Sequence, residues 1–158
     1  MIHKILLFTF FVLLFSCVTN EICDDNPNSE LIVRFKHTVD LSTVDTIISG
    51  VSLYGIREGK SDSLLYSSDS TSRVVLPLDP HHSYSRFVMS INEESDTLYI
   101  GHNTGFYLMS YTCGYAAIFT LDPDSILHGN KLFYDWEIRD GVIDAYSEQD
   151  DEHLWLYF

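Results

Sequence analysis

Three cysteines and seven histidines are the side chains of this sequence with the most chemistry open to them, and their spacing restricts what that chemistry can be. Cys17, Cys23 and Cys113 form no CxxC or CxxH arrangement, so the close ligand spacing of a zinc site is missing. His81 and His82 are adjacent, and neighbouring side chains on an extended chain point to opposite sides, which is poor geometry for holding one metal. His37, His102, His128 and His153 are scattered, and nothing ranks any of the six above the others as a catalytic base. Asp122, Asp124 and Ser125 invite a calcium reading, but Ile126 and Leu127 stand where a binding loop needs more oxygen ligands, so a turn at Asp122 to Ser125 is expected instead. No nucleophile elbow, phosphate-cradling glycine loop, HExxH pair or dinucleotide fingerprint is present. A triad can be assembled from distant residues, but the motifs point to a non-enzymatic protein with no metal and no cofactor.

The cysteines have a different chemistry available. The chain opens with a weakly basic Met1 to Lys4, runs from Ile5 to Phe15 without a charge and reaches Ser16 and Cys17. That is the pattern of an export leader, and it is too short for a membrane span, which needs about 20 apolar residues. Leu14, Phe15, Ser16 and Cys17 resemble a bacterial lipoprotein box, in which the cysteine becomes the acylated first residue. Residues 1–16 are then a lipoprotein signal peptide and Cys17 the lipid attachment site. An ordinary cleaved leader with an incidental Cys17 is the alternative. With Cys17 acylated, Cys23 and Cys113 remain as an even pair in an oxidising compartment, and a disulfide between them is the economical assignment. It would close a loop of about 90 residues, and the chain-entropy model allows roughly 4 to 5 kcal/mol for that.

The formal net charge of −14 includes one leader cation, Lys4, so the remainder is one unit more acidic. Such a chain repels nucleic acid and anionic surfaces, and no nucleic acid or nucleotide partner is expected.

The elements that must carry these residues read as short strands. Residues 17–29 form a polar tether, and residues 30–158 are long enough for one domain with its own core. Leu31, Val33 and Phe35 alternate with Arg34 and Lys36, as a half-buried strand does. Further strands are expected over Ile47 to Ile56, Val74 to Leu78, Ser85 to Ile91, Thr97 to Ile100 and Leu154 to Phe158. Ser61 to Ser72 reads as a Ser and Asp loop around a short piece at Leu64 to Tyr66, and Asn92 to Asp96 as a hairpin loop. Gly105 to Leu121, almost all apolar or aromatic, reads as two core strands meeting at Gly114 beside Cys113. Asp140 and Gly141 predict a two-residue hairpin between Trp136 to Arg139 and Val142 to Tyr146. Eight or nine strands without a helical period imply an all-β fold, an antiparallel β-sandwich of Ig-like or Greek-key type.

Cys17 in its leader, Cys23 close behind, Leu76, Pro77 and Leu78, the DTLYI run from Asp96 to Ile100 and the SYTCG run from Ser110 to Gly114 together resemble a group of small lipoproteins of the Bacteroidota known as a domain of unknown function. The resemblance implies an envelope-anchored β-domain and brings no reaction or catalytic residues. The expected protein is therefore lipid-anchored to a bacterial membrane, the outer membrane first, facing periplasm or cell surface. Its sandwich would serve as a structural or protein-interaction module with an envelope partner. A glycan-binding module is the alternative, should Tyr54, Tyr66, Tyr84, Tyr107, Tyr111, Trp155 and Tyr157 present a row of exposed, coplanar rings.

Overall fold

The computed structural model describes residues 28–129, 131–147 and 150–158, the side chains of 68 and 69 excepted. The leader, Cys17, Cys23 and the tether up to residue 27 lie outside the described residues. Among those described there are eleven strands and no helix: β1 (Glu30–Val39), β2 (Ser42–Asp45), β3 (Ile48–Ile56), β4 (Ser63–Thr71), β5 (Arg73–Pro77), β6 (Tyr84–Ile91), β7 (Glu94–Ser110), β8 (Gly114–His128), β9 (Asp135–Ile138), β10 (Val142–Ile143) and β11 (Leu154–Tyr157). They form two sheets packed as a sandwich, the architecture expected.

The first sheet has the order β2-β1-β11-β9, with β5 also on β1. β1 pairs antiparallel with β5 through Glu30 to Arg34 and with β2 through Lys36 to Val39, so these two strands share one flank. Its other flank pairs with β11, and that pairing is parallel, with Val33 opposite Leu154 and Phe35 opposite Leu156. The second sheet, β10-β8-β7-β6-β3-β4, is antiparallel throughout.

Alternation decides the faces. Leu31, Val33, Phe35, Leu154 and Leu156 from the first sheet are buried against Val51, Leu53, Phe87, Met89, Leu98 and Ile100 from the second. Each such side chain contributes about 1.5 to 3 kcal/mol by leaving water. Arg34, Lys36 and Trp155 take the opposite face of the first sheet, where Lys36 and Arg139 lie over the Trp155 ring at 4.1 and 4.2 Å.

Several expectations are corrected. Ser61 to Ser72 is mostly strand, since Ser63–Thr71 pairs along β3; as the outermost strand of its sheet it can be polar and still contribute its ladder bonds. β2 was not expected, because the β1–β2 turn uses Asp40 and Leu41, both at positive φ, with no glycine to announce it. The Asn92 to Asp96 loop shrinks to Asn92 and Glu93, and β7 begins at Glu94. Asp140 and Gly141 do not close a hairpin: β9 pairs with β11 in the first sheet and β10 with β8 in the second, so this turn is a corner between sheets. The turn at Asp122 to Ser125 exists as an excursion within β8. Ile100 pairs with Ile126 and His102 with Leu121, leaving 122–125 looped out opposite Gly101. The Asp122 carboxylate accepts from the Asp124 N–H at 3.1 Å and the Ser125 hydroxyl at 2.6 Å. A Cβ on Gly101 would lie 2.3 Å from that of Ser125, so only glycine fits against the excursion.

Asp96, expected in a loop, is buried in β7. One carboxylate oxygen accepts the N–H groups of Thr97 and Gly129 at 2.8 and 2.7 Å, and the other those of Lys131 and Leu132 at 2.9 and 3.2 Å. Burial pushes its pKa up, but these four donors outweigh burial and hold it below the usual 3.8. The segment leaving β8 is thereby tied to β7. Replacing Asp96 with Asn puts an NH₂ where two donors point, and two uncompensated, partly buried N–H groups at about 1 to 3 kcal/mol each predict a loss of roughly 2 to 6 kcal/mol in D96N. Urea unfolding at pH 7 reads this directly, and a midpoint equal to that of the parent would overturn the role given to Asp96. Because the folded pKa is depressed, the Asp96 contribution is complete above the ordinary value of 3.8 and is lost as pH falls through the folded value.

Candidate functional site

Of the three cysteines only Cys113 lies among the described residues, in the turn that joins β7 to β8. Its N–H donates to the Ser110 hydroxyl at 2.9 Å, which satisfies one of the turn's backbone donors. Gly114 follows at a φ of 75°, a left-handed conformation natural to glycine and costly for other residues. Gly105 to Leu121 is thus two strands meeting at the expected break, but only its inner half is core. Phe119 and Leu121 are buried, while Phe106, Leu108, Tyr111 and Tyr115 are exposed. The composition of the stretch could not reveal this, because exposure depends on where the opposite sheet stops.

A cleft of about 380 Å³ is lined by Arg57, Glu58, Asp79, His82, Ser85 and Arg86 among others. Behind its wall lies a pair that the spacing did not single out: Ser85 Oγ is 3.0 Å from His102 Nε2. The excursion at 122–125 aligns His102 with Leu121, its backbone N–H bonds Ser83, and its ring stands edge-on to Phe119 at 5.0 Å. A serine beside a histidine is the start of a nucleophilic site. Here both side chains are buried, the hydroxyl already accepts the Asp79 N–H at 2.8 Å, and Thr104 rather than a carboxylate stands 3.4 Å from His102 Nδ1. The pair locks the 79–85 connection onto β7. At the cleft mouth Asp79 takes the His81 N–H at 2.9 Å and pairs with the His82 ring at 3.1 Å. Burial raises the Asp79 pKa, but these bonds and Arg57 prevail and bring it below 3.8.

The other histidines do not converge. His81 and His82 are exposed, His37 meets the Phe158 carbonyl, and His128 stacks near Phe133 at 4.8 Å. His153 is buried and structural: its Nδ1 accepts the Ile32 N–H at 3.0 Å, its own N–H donates to the Ile32 carbonyl at 3.1 Å, and Nε2 faces the Ser147 hydroxyl at 3.3 Å. No three His, Cys, Asp or Glu side chains among the described residues are grouped to hold a metal. No helix among them is long and apolar enough to cross a membrane.

The aromatic residues do not form one row either. The Trp155 and Tyr157 rings meet at 71°, Tyr107 and Tyr146 lie at 33° elsewhere, and Lys36 and Arg139 cover Trp155.

Burial holds both His102 and His153 below the ordinary 6.5, against the upward pull of Asp79 on the first and of Asp140, Asp151 and Asp144 on the second. Each is neutral when folded, and a proton on His153 Nδ1 would displace the Ile32 bond. The unfolded chain takes up these protons first, so stability falls as pH drops from 6.5 toward the depressed folded values. Unfolding titrations between pH 7 and 5 should show this slope, and H153N should flatten it; an unchanged slope in both H153N and H102N would sink the assignment.

Residues 50–158 match DUF6452, a family of unknown function. No curated protein and no solved structure matches the chain. The match contains β4 to β11, the Asp96 clamp, the Ser85 and His102 pair and Cys113, and leaves β1 and β2 outside. It covers more than half of the sequence, and the chain belongs to the DUF6452 family.

Proposed function

We propose that this member of the family is a lipid-anchored protein of the bacterial cell envelope, acylated at Cys17, stapled by a Cys23–Cys113 disulfide and serving as a structural or protein-interaction module. The observation that carries the reading is the course of the chain where β1 begins. The Ser29 hydroxyl donates to the Ala117 carbonyl on β8, so the described chain starts beside the strand that leads to Cys113. Ala117 is four residues from Cys113, about 13 Å along a strand. Cys23 is six residues from Ser29, a reach of about 20 Å.

The leader and Cys17 supply the anchor, and stable anchoring by acylation takes more than one chain. The locked state of Ser85 and His102 favours a non-enzymatic module over a hydrolase. Glycan binding is the weaker reading, because Trp155 already carries two cations where a sugar would stack.

The test begins with intact mass and thiol alkylation of the protein purified from the membrane fraction. The expected result is an acylated Cys17 with Cys23 and Cys113 unreactive until reduced. Two freely alkylated thiols would remove the staple, and recovery in the soluble fraction with Cys17 unmodified would remove the anchor. Crosslinking in intact cells then addresses the module: a reproducible envelope protein is expected, and its absence turns the search to glycans.

A further inference from the structure

The β7–β8 hairpin has more apolar surface than the core uses: Tyr99 and Leu127 are exposed at its far end, and Phe106, Leu108, Tyr111 and Tyr115 at the end that carries the turn. Cross-strand partners share a face of a sheet. Thr104 pairs with Phe119, Phe106 with Ala117 and Leu108 with Tyr115, so Phe106, Leu108 and Tyr115 continue the face that buries Phe119 and Leu121. Yet they are 60%, 45% and 70% exposed, and Tyr111 at the turn is 100% exposed. Tyr146, itself exposed, sits with its ring 6.0 Å from Tyr107 on the same hairpin. Clustered apolar exposure of this kind marks a contact surface.

Charge says what the surface faces. From Asn103 to Leu121 there is no acidic, basic or histidine residue, in a chain whose formal charge is −14. The strands and turn at this end thus carry no acidic side chain of their own, and Asp144, which lies near Tyr107, comes from the segment after β10. A lipid interface selects for this arrangement: tyrosine and phenylalanine settle at headgroup depth, whereas charged groups are expelled. The hairpin backbone is paired across its ladder and the Cys113 N–H is satisfied within the turn, so approaching lipid leaves few polar groups unpaired.

Chain length says where that interface is. Cys17 is six residues from Cys23, at most about 22 Å of extended chain. Joined to Cys113, Cys23 would hold the hairpin end within that distance of the acyl chains.

We propose that Phe106, Leu108, Tyr111 and Tyr115 seat the end of the β7–β8 hairpin on the lipid surface that holds the anchor, and so set the orientation of the domain. The location of that surface rests on the anchored, stapled reading above; the apolar, uncharged end does not.

The experiment uses the full mature protein, purified from membranes and reconstituted in phosphatidylcholine vesicles with brominated acyl chains. Y111W reports from the hairpin turn and E93W from the β6–β7 turn, both exposed positions at opposite ends of the long hairpin. The parent, with Trp136 and Trp155, supplies the background, and the mass of each sample states whether Cys17 is acylated. The expected result is flotation with the vesicles, a blue shift and loss of emission for Y111W, and neither for E93W. An acylated protein that floats while Y111W stays as bright as E93W overturns the seating and leaves the anchor standing. Flotation with quenched Y111W but unmodified Cys17 supports the seating and overturns the anchor. No flotation with unmodified Cys17 overturns both. An unquenched Y111W that crosslinks in cells to an envelope protein assigns the face to that protein and overturns the lipid assignment.

Discussion

The parallel pairing of β1 with β11 is the constraint on which the rest of the sandwich depends. β1 is flanked by β2 and β5 on one side, so without β11 the first sheet would lose its bridge to β9 and the buried Leu154 and Leu156. Val33 and Phe35 sit opposite Leu154 and Leu156, all four buried. His153 opens this pairing by exchanging two bonds with Ile32, one from its ring and one from its backbone. Because β1 and β11 come from the two ends of the described chain, the contact is long-range and forms late in any order that begins with local hairpins. The family match begins within β3, yet the first sheet is organised around β1. The folding unit therefore has to extend to Glu30.

How much of this was legible follows from what alternation can report. The faces of Leu31 to Phe35, of Val51 and Leu53, and of Phe87 and Met89 were readable because a strand buried on one side writes its burial with period two. Partners are not written that way. Asp140 and Gly141 look the same whether the strands they join stay in one sheet or part into two, and only the bonds of β9 to β11 and β10 to β8 decide it. β4 was hidden by its serines, since an edge strand has no second apolar face to demand otherwise. The turn at Asp40 and Leu41 lacked the glycine or asparagine that usually marks positive φ.

At the candidate site the break between two strands at Cys113 and Gly114 was legible from the glycine, while the pairing of Ser85 with His102 was not. Their meeting is set by the β6–β7 ladder, in which Ser85 pairs with Ile100 and the His102 N–H donates to the Ser83 carbonyl, and spacing along the chain does not say which residues that ladder brings together. Asp96 was misread for a related reason: an acidic residue near a predicted turn looks solvated, and the four backbone donors that bury it come partly from residues more than thirty positions away.

These buried polar groups share a consequence. Asp96, Ser85, His102 and His153 are buried polar side chains, and each is spent on holding a connection to a strand. A reactive site needs such groups held by the fold but unsatisfied toward the substrate, whereas here their bonds end on backbone, on one another or on the hydroxyls of Thr104 and Ser147. The surplus in this structure is apolar surface at the hairpin end beside Cys113.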